Sequence, residues 1–600
     1  MHNPNASRFG KYTELQFTET GRLSGVKTLD YYLEKNRVSG FPSGERNFHI
    51  FYYLLAGASP EERQHLHLVD KATYRYLGSY RRPLGRDEDT NRFEQLKVAL
   101  KAVGLSKRQV AQTCQLLAAI LHLGNLDFTI DKHRNEDAAV VRNVETLEIV
   151  SEFLGVPPTD LEAVLSYKTK LLKKEICTVF LDEEGAATNR DDLAKTLYSL
   201  LFAWLNESIN QKLCRDDFAT FIGLFDLPGS QNIPQSAVRA NSLDQFCVNF
   251  ANERLQNWVQ KRIFDRHTDE YMAEGIQQFS PPVSYFDNTE CVRMITHHTG
   301  GLIHIMDDQA RRAPKKTEHT MLEAFTKRWG NHASFKTGGT DRTGFPTFTI
   351  NHYNGAVTYS SESWLEKNHD ALNPDFVSLL RGANVAAPSE QPGSNNPFVK
   401  GLFSSQAIAT QAHPRNQETI VAAKQPVKPM RAPSTKRKQS IRRVGTQRRK
   451  GGDGTIAEED EDDAPNSIKC VAGEFNASLD QLLETLDETE SWFVFCINPN
   501  DSQLPNQIEG RAVKAQIRSM GLPEVAKKCS TVLEVNMTFS EFFERYRQSL
   551  VLAGAGDAGE GSVTDRVAMV RQAMGLGLND IVVGQNKVGF LSQTSGRASE

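Results

Sequence analysis

The 600-residue sequence contains no Cys-x-x-Cys pair. Its eight cysteines, Cys114, Cys177, Cys214, Cys247, Cys291, Cys470, Cys496 and Cys529, lie scattered along the chain. This spacing excludes a zinc ribbon and fits reduced thiols better than a disulfide framework. Long apolar runs are also missing: stretches such as Leu197 to Leu205 fall far short of the ~18 residues that read as a membrane span. The opening MHNPNASRFGK has no signal-peptide apolar stretch, so the chain as given reads as soluble. Neither sign of charge dominates. With 70 basic and 74 acidic residues the net charge is −4, which argues against a wholesale polyanion binder. A phosphate-cradling loop of the form G-x-x-x-x-G-K-S/T is absent, since Gly10-Lys11 is followed by Tyr12 and has no upstream glycine.

What is present is an ordinary globular composition, 39% hydrophobic and 24% charged, over a length that accommodates several lobes. From about residue 10 to 380, helical and strand-like patterns alternate without a fixed repeat, as in one large α/β assembly. Residues 381–467 differ, with Pro388, Pro392, Pro397, Pro414, Pro426, Pro429, Pro433 and Pro465 among Ser, Gln, Ala and Gly. This composition buries too little surface to offset ordering entropy and predicts disorder. Inside it, Lys424 to Lys450 carries eleven cations and no acid, and an acidic run, Glu458 to Asp463, follows. Patterned structure is expected to resume with a helix over Asn476–Asp487 and a strand over Trp492–Ile497.

Two segments carry chemistry. Asn3-Pro4-Asn5-Ala6-Ser7-Arg8-Phe9-Gly10-Lys11 is a polar loop before the strand-like Tyr12 to Phe17. Its amides, hydroxyl and guanidinium suit an anion with a bound cation. The second segment follows a helix predicted over Asp191–Asn210: the apolar run Phe218 to Phe225, read as a buried parallel strand, and then Asp226-Leu-Pro-Gly229. An aspartate at a strand's carboxyl end can hold Mg²⁺, and a glycine lets a backbone N–H approach a phosphate. Taken alone, the same residues also fit a strand closing in an Asp-Pro-Gly turn. Asp87-Glu-Asp89 reads as solvated surface, and His297, His298 and His304 as ordinary polar positions. The glycines Gly554, Gly556 and Gly559 follow a helical pattern at Phe539–Leu550, so a dinucleotide site is rejected in favour of a hinge.

These segments make the chain resemble a myosin motor head. Asn3 to Lys11 is similar to switch I and Phe225 to Gln231 to switch II. The resemblance continues through Leu117–Asn125, the relay-like Asn241–Leu255, His352–Tyr359, Trp364–Asn368 and Phe493–Asn500. Pro4, Ala6 and the run Leu23–Glu34 look closest to the heads fused to fungal chitin synthases, although the Q-x-x-R-W signature of such a synthase does not occur.

The resemblance implies an α/β fold of the myosin-motor P-loop NTPase type: a central twisted sheet, many helices and a disordered surface insertion. Because the family's phosphate loop precedes switch I, the chain is expected to be a truncated one whose phosphate-loop part is missing. The implied divisions are 1–225 for switch I and an upper actin-binding lobe, and 226–380 for switch II, relay helix and lower lobe. Then come 381–467 for the insertion, 468–530 for a return strand and reactive-thiol helices, and 531–600 for a converter. Implied cofactors are ATP and Mg²⁺. Asn3, Asn5, Ser7, Arg8, Asp226 and Gly229 are the implied nucleotide contacts, Ser7 and Asp226 the metal ligands, and Arg8, Gly229 and Gln231 the catalytic set. Gln231 stands where the family has a glutamate that pairs with the switch I arginine, so a charge-assisted pair becomes an ion–dipole contact and slow hydrolysis is expected.

The basic run occupies the position of the family's lysine-rich actin-binding loop. The implied actin contacts are Lys436, Arg437, Lys438, Arg442, Arg443, Arg448, Arg449 and Lys450. Gly300–Phe325 resembles a helix-loop-helix of the filament-binding side, and Lys168–Glu184 a loop carrying a regulatory acid, here Glu175. Actin filaments and a fused or associated chitin synthase are the implied partners. An anionic membrane is a further candidate through the basic run, and no specific nucleic acid is expected. The implied location is cytoplasmic and cytoskeleton-associated, with the parent fusion at the plasma membrane and secretory vesicles of growth tips and septa. Whether the head hydrolyses ATP as a motor or acts as a non-catalytic actin or membrane tether stays open at this point.

Overall fold

The computed structural model describes residues 6–42, 45–70, 73–78, 86–130, 138–172, 175–233, 240–265, 268–279, 283–313, 315–369, 372–382, 393–404, 470–500, 504–529, 533–552, 562–577 and 580–591. Asn3, Asn5 and the whole basic run Lys424–Lys450 lie outside them, as do Gly554, Gly556 and Gly559. The chain forms two compact units. The first comprises Met1–Asn249, Ile295–Thr349 and Val357–Ser491, and the second Phe250–Met294, Ile350–Ala356 and Trp492–Glu600. Helices and sheets are mixed in both, as the resemblance to a myosin motor head implies. No helix among the described residues is long and apolar enough to cross a membrane.

In the first unit the strand Gly10–Phe17 is central. It pairs antiparallel with Leu23–Tyr31 on one side and with Thr220–Asp226 on the other. Its alternation turns Tyr12, Glu14 and Gln16 to one buried face. The amide of Gln16 ties that face together, donating to Glu14 (2.9 Å) and accepting from the Arg215 backbone N–H (2.8 Å). Gly223, paired with Glu14, leaves room for the Tyr12 side chain reaching over it, since a Cβ there would lie 2.2 Å from the tyrosine hydroxyl. The outer strand Leu23–Tyr31 is covered by the 31-residue helix Glu183–Leu213. From that helix Asn210 donates to the Thr28 carbonyl and accepts from the Thr28 N–H, both at 2.7 Å. Asp182 caps the helix through the Gly185 N–H (2.8 Å). Leu193, Leu197, Leu200 and Leu201 fuse its apolar stripe with the buried Leu116–Leu123 end of the helix Lys107–Leu123. A second core is aromatic: Phe246, Phe325, Phe335, Phe348, Tyr359 and Trp364 meet mostly edge to face, with centroids 5.2–6.3 Å apart.

The second unit is built around a sheet in which Lys587–Leu591 lies between Leu533–Thr538 and Ile581–Val583. Its core joins Met537, Phe542, Tyr546, Val567, Val570, Ile581 and Val588.

Several expectations are corrected. Disorder does not hold throughout 381–467: Pro397–Leu402 is a helix whose Val399 and Leu402, with Phe403, are buried in the main core of the first unit, because a composition averaged over the segment hides this short apolar cluster. The apolar run after Phe218 forms the strand Thr220–Asp226, but it pairs antiparallel, and Ile222 and Leu224 are 54% and 55% exposed. An apolar run reports a strand that could be covered on both faces; it does not specify which neighbours cover it. Trp492–Ile497 keeps an alternating exposure pattern yet joins no ladder among the described residues, leaving Trp492 90% and Val494 88% exposed. The alternation fixes side-chain direction, whereas strand formation needs a partner. Lys168–Glu184 is largely a hairpin, Tyr167–Leu172 against Glu175–Phe180, rather than a loop. Asp89 is not solvated surface: it accepts two hydrogen bonds from the Arg46 guanidinium, at 2.7 and 3.3 Å. The Gly300–Phe325 region does form two helices, Leu302–Arg311 and Glu318–Trp329.

Candidate functional site

Strand register brings the two chemistry-bearing segments to one end of the central sheet. Lys11 pairs with Asp226 and Tyr12 with Phe225, so the loop ending at Gly10 and the loop beginning at Leu227 leave side by side. Gly10 makes this approach possible, since a Cβ there would sit 2.7 Å from Leu227 Cδ1 and 3.0 Å from the Tyr31 carbonyl. Gly229 is different. Nothing lies within 4 Å of where its Cβ would be, and its φ is not positive. Packing therefore does not demand glycine there, and the space beside it is open. Ser7, Asp226 and Gly229 are exposed, so a hydroxyl, a carboxylate and a backbone N–H are accessible at this end of the sheet, the donor types that suit Mg²⁺ and a phosphate.

Arg8 is placed otherwise than the resemblance implied. Its guanidinium donates to Glu45 (2.8 Å) and Glu34 (3.3 Å), and its carbonyl accepts from the Glu34 N–H (2.9 Å). Arg37, 1% exposed, completes a buried quartet by donating to both glutamates, at 2.6 Å to Glu45 and at 3.1 and 3.2 Å to Glu34. Burial pulls the Arg8 guanidinium below its ordinary value, with Glu34 and Glu45 opposing. Burial also raises Glu34, against the pull of Arg37 and Arg8. Arg37 ends above its ordinary value because the two glutamates outweigh the burial that lowers it.

Gln231 is held by the helix Leu243–Asp265 instead. Its backbone N–H donates to Asn249 Oδ1 (2.7 Å), its carbonyl accepts from Asn249 Nδ2 (2.8 Å), and its side-chain oxygen accepts from Gln245 Nε2 (3.2 Å). The ion–dipole contact expected between Arg8 and Gln231 is thus replaced by separate anchors. A glutamine finds amide partners where a carboxylate would seek a cation.

Sequence reasoning missed Glu34, Arg37 and Glu45, although opposite charges three apart, as at Glu34 and Arg37, are a readable signal. It also missed a buried group in the second unit, Glu253, Cys291 and His352, whose donor atoms lie within 4.8 Å of one another. There Glu253 Oε2 meets His352 Nδ1 (2.9 Å) and the Tyr353 N–H (3.1 Å), while Oε1 accepts from Asn288 (2.8 Å). With both oxygens engaged, this is a satisfied polar network.

Comparison with known proteins identifies the class. The chain matches the myosin head (motor domain) family over residues 1–591, and it belongs to that family. It is 53% identical, over 100% of its length, to chitin synthase 8 of Mycosarcoma maydis. It is 46% identical over 99% of its length to chitin synthase 5 of Cryptococcus neoformans var. grubii, and 33% identical over 98% to chitin synthase 6 of Verticillium dahliae. The chain spans only 30%, 31% and 33% of these relatives' lengths.

Proposed function

We propose that this myosin motor-like head binds Mg²⁺ and ATP at the shared sheet end, engages actin, and directs a fused or associated chitin synthase to sites of cell-wall growth. The observation that supports this reading is the Lys11–Asp226 register: Asp226 ends its strand at the sheet end where the loop carrying Ser7 enters the neighbouring strand, an arrangement that would let the two serve one cation. In this reading Ser7 and Asp226 ligate the metal, the Gly229 N–H reaches the terminal phosphate, and Asn3 and Asn5 contribute nucleotide contacts. Lys436, Arg437, Lys438, Arg442, Arg443, Arg448, Arg449 and Lys450 steer the head to acidic actin. The divisions at residues 225, 380, 467 and 530 are proposed as the limits of the lobes, insertion, return segment and converter. The proposed location is the actin cytoskeleton beneath growth tips and septa.

A second reading, a non-catalytic actin tether, draws support from the anchoring of Arg8 on Glu34 and Glu45 and of Gln231 on Asn249. In that arrangement neither residue holds the other around an attacking water. Equilibrium titration with a fluorescent ATP analogue and Mg²⁺, followed by phosphate release with and without actin, tests both. Nucleotide-stimulated release that actin accelerates establishes the motor, and actin pelleting with background release establishes the tether. Pelleting that is lost while vesicles of anionic lipid still bind would favour the membrane alternative.

A further inference from the structure

The helix Leu243–Asp265 holds more than Gln231. Immediately before Gln245 stands Asp244, a buried carboxylate in the helix's first turn. Its Oδ1 accepts from the Tyr32 hydroxyl (2.7 Å), and Asn36 Nδ2 reaches both of its oxygens, at 3.2 and 3.0 Å. Tyr32 sits at φ +50°, a left-handed backbone uncommon for a bulky side chain. Its ring packs on Phe475, with centroids 4.9 Å apart. A backbone held in that region marks a position fixed by its surroundings.

Between Tyr32 and Asn36 in the chain lies Glu34, which holds both the guanidinium and the carbonyl of Arg8. One short turn therefore grips Arg8 on one side and the start of the helix on the other. The next helical residue, Gln245, together with Asn249, grips Gln231. Arg8 and Gln231 are joined through the helix start instead of to each other.

We infer that the Tyr32–Asn36–Asp244 clamp is a positioning device that passes a displacement of Arg8 to the first turns of the helix Leu243–Asp265. The inference rests on and deepens the proposed nucleotide-binding reading by naming how that site would report to the helix. Its geometry, however, is independent of nucleotide. Tyr32, Asn36 and Asp244 act as positioning residues: each works through the turn, not on the phosphates.

The test is amide hydrogen exchange of the 600-residue chain without nucleotide, read at Phe246–Asn249. Glu45→Gln loosens Arg8, and Arg8→Lys, which keeps the charge but shortens the reach, serves as a second perturbation should Glu45→Gln not fold. Either is expected to speed exchange at Phe246–Asn249 about threefold or more. Repeated in a Tyr32→Phe, Asn36→Ala background, the same perturbation is expected to have no added effect there, a non-additivity that independent packing defects would not give. No change at Phe246–Asn249 in the parent, or an equal increment with and without the clamp, overturns the inference. A parallel titration with the ATP analogue and Mg²⁺ separates the two ideas: absent binding sinks the nucleotide reading while the exchange data still decide the clamp.

Discussion

A glycine with nothing beside it and a glycine wedged between two segments make opposite predictions. Gly229→Ala meets open space at an ordinary φ, so stability should change by no more than about 0.5 kcal/mol. Affinity for Mg²⁺ and the ATP analogue should nonetheless fall, because the added methyl occupies room the phosphate would use. Denaturant melts and a binding titration on the same preparation check both halves. Gly10→Ala drives a methyl against Leu227 and the Tyr31 carbonyl and should cost about 1–3 kcal/mol. Asp307 gives a pH prediction. Its carboxyl is pushed up to about 6 by burial, which outweighs the Asn368 hydrogen bond (2.8 Å) and Arg311. Between its ordinary 3.8 and about 6, the folded chain keeps a proton that the unfolded chain releases. The group's stabilising contribution is therefore complete below the lower value and lost as pH rises through the upper one, a loss on the order of 2–3 kcal/mol. Asp307→Asn should narrow the difference in Tm between pH 4 and pH 7.5; an unchanged difference would refute the assignment.

Among the elements, Asn210 matters more than its place on a long helix suggests. It satisfies both backbone groups of Thr28 on a sheet-edge strand, and its loss would leave them buried and unmet. Asn210→Ala should cost about 1–3 kcal/mol, while Asn210→Gln, with the same amide one methylene too long, should recover little; denaturant unfolding of the two variants is the check. At this scale much was legible in the sequence. The helix expected over Asp191–Asn210 is the interior of Glu183–Leu213, and that over Asn476–Asp487 begins a few residues earlier, at Val471. Leucine stripes at helical spacing report a buried face directly, while helix ends depend on caps such as Asp182 that carry little pattern of their own. Strands were read less well, because Thr220–Asp226 and Trp492–Ile497 take their meaning from neighbours that the local sequence does not name. At the candidate site, Ser7, Asp226 and Gly229 could be picked out because loop chemistry follows residue type. The partners of Arg8 could not, since Glu34 and Glu45 come near it only through the return of the chain along Leu23–Tyr31.

For the whole molecule, the proposed association with actin rests on charge placement. The Lys424–Lys450 segment concentrates eleven cations in a chain whose net charge is −4. Its removal should abolish most actin co-sedimentation at low salt, and binding by the intact chain should weaken steeply as ionic strength rises above about 0.1 M. Salt-insensitive pelleting, or pelleting unaffected by the deletion, would transfer the actin-binding role elsewhere. Ile222 and Leu224 have a different consequence, one for the bench. An uncovered β ribbon is adhesive, so at high concentration preparations of this polypeptide should scatter more light with time. Charged replacements at those two positions should keep the solution clear without altering the melt.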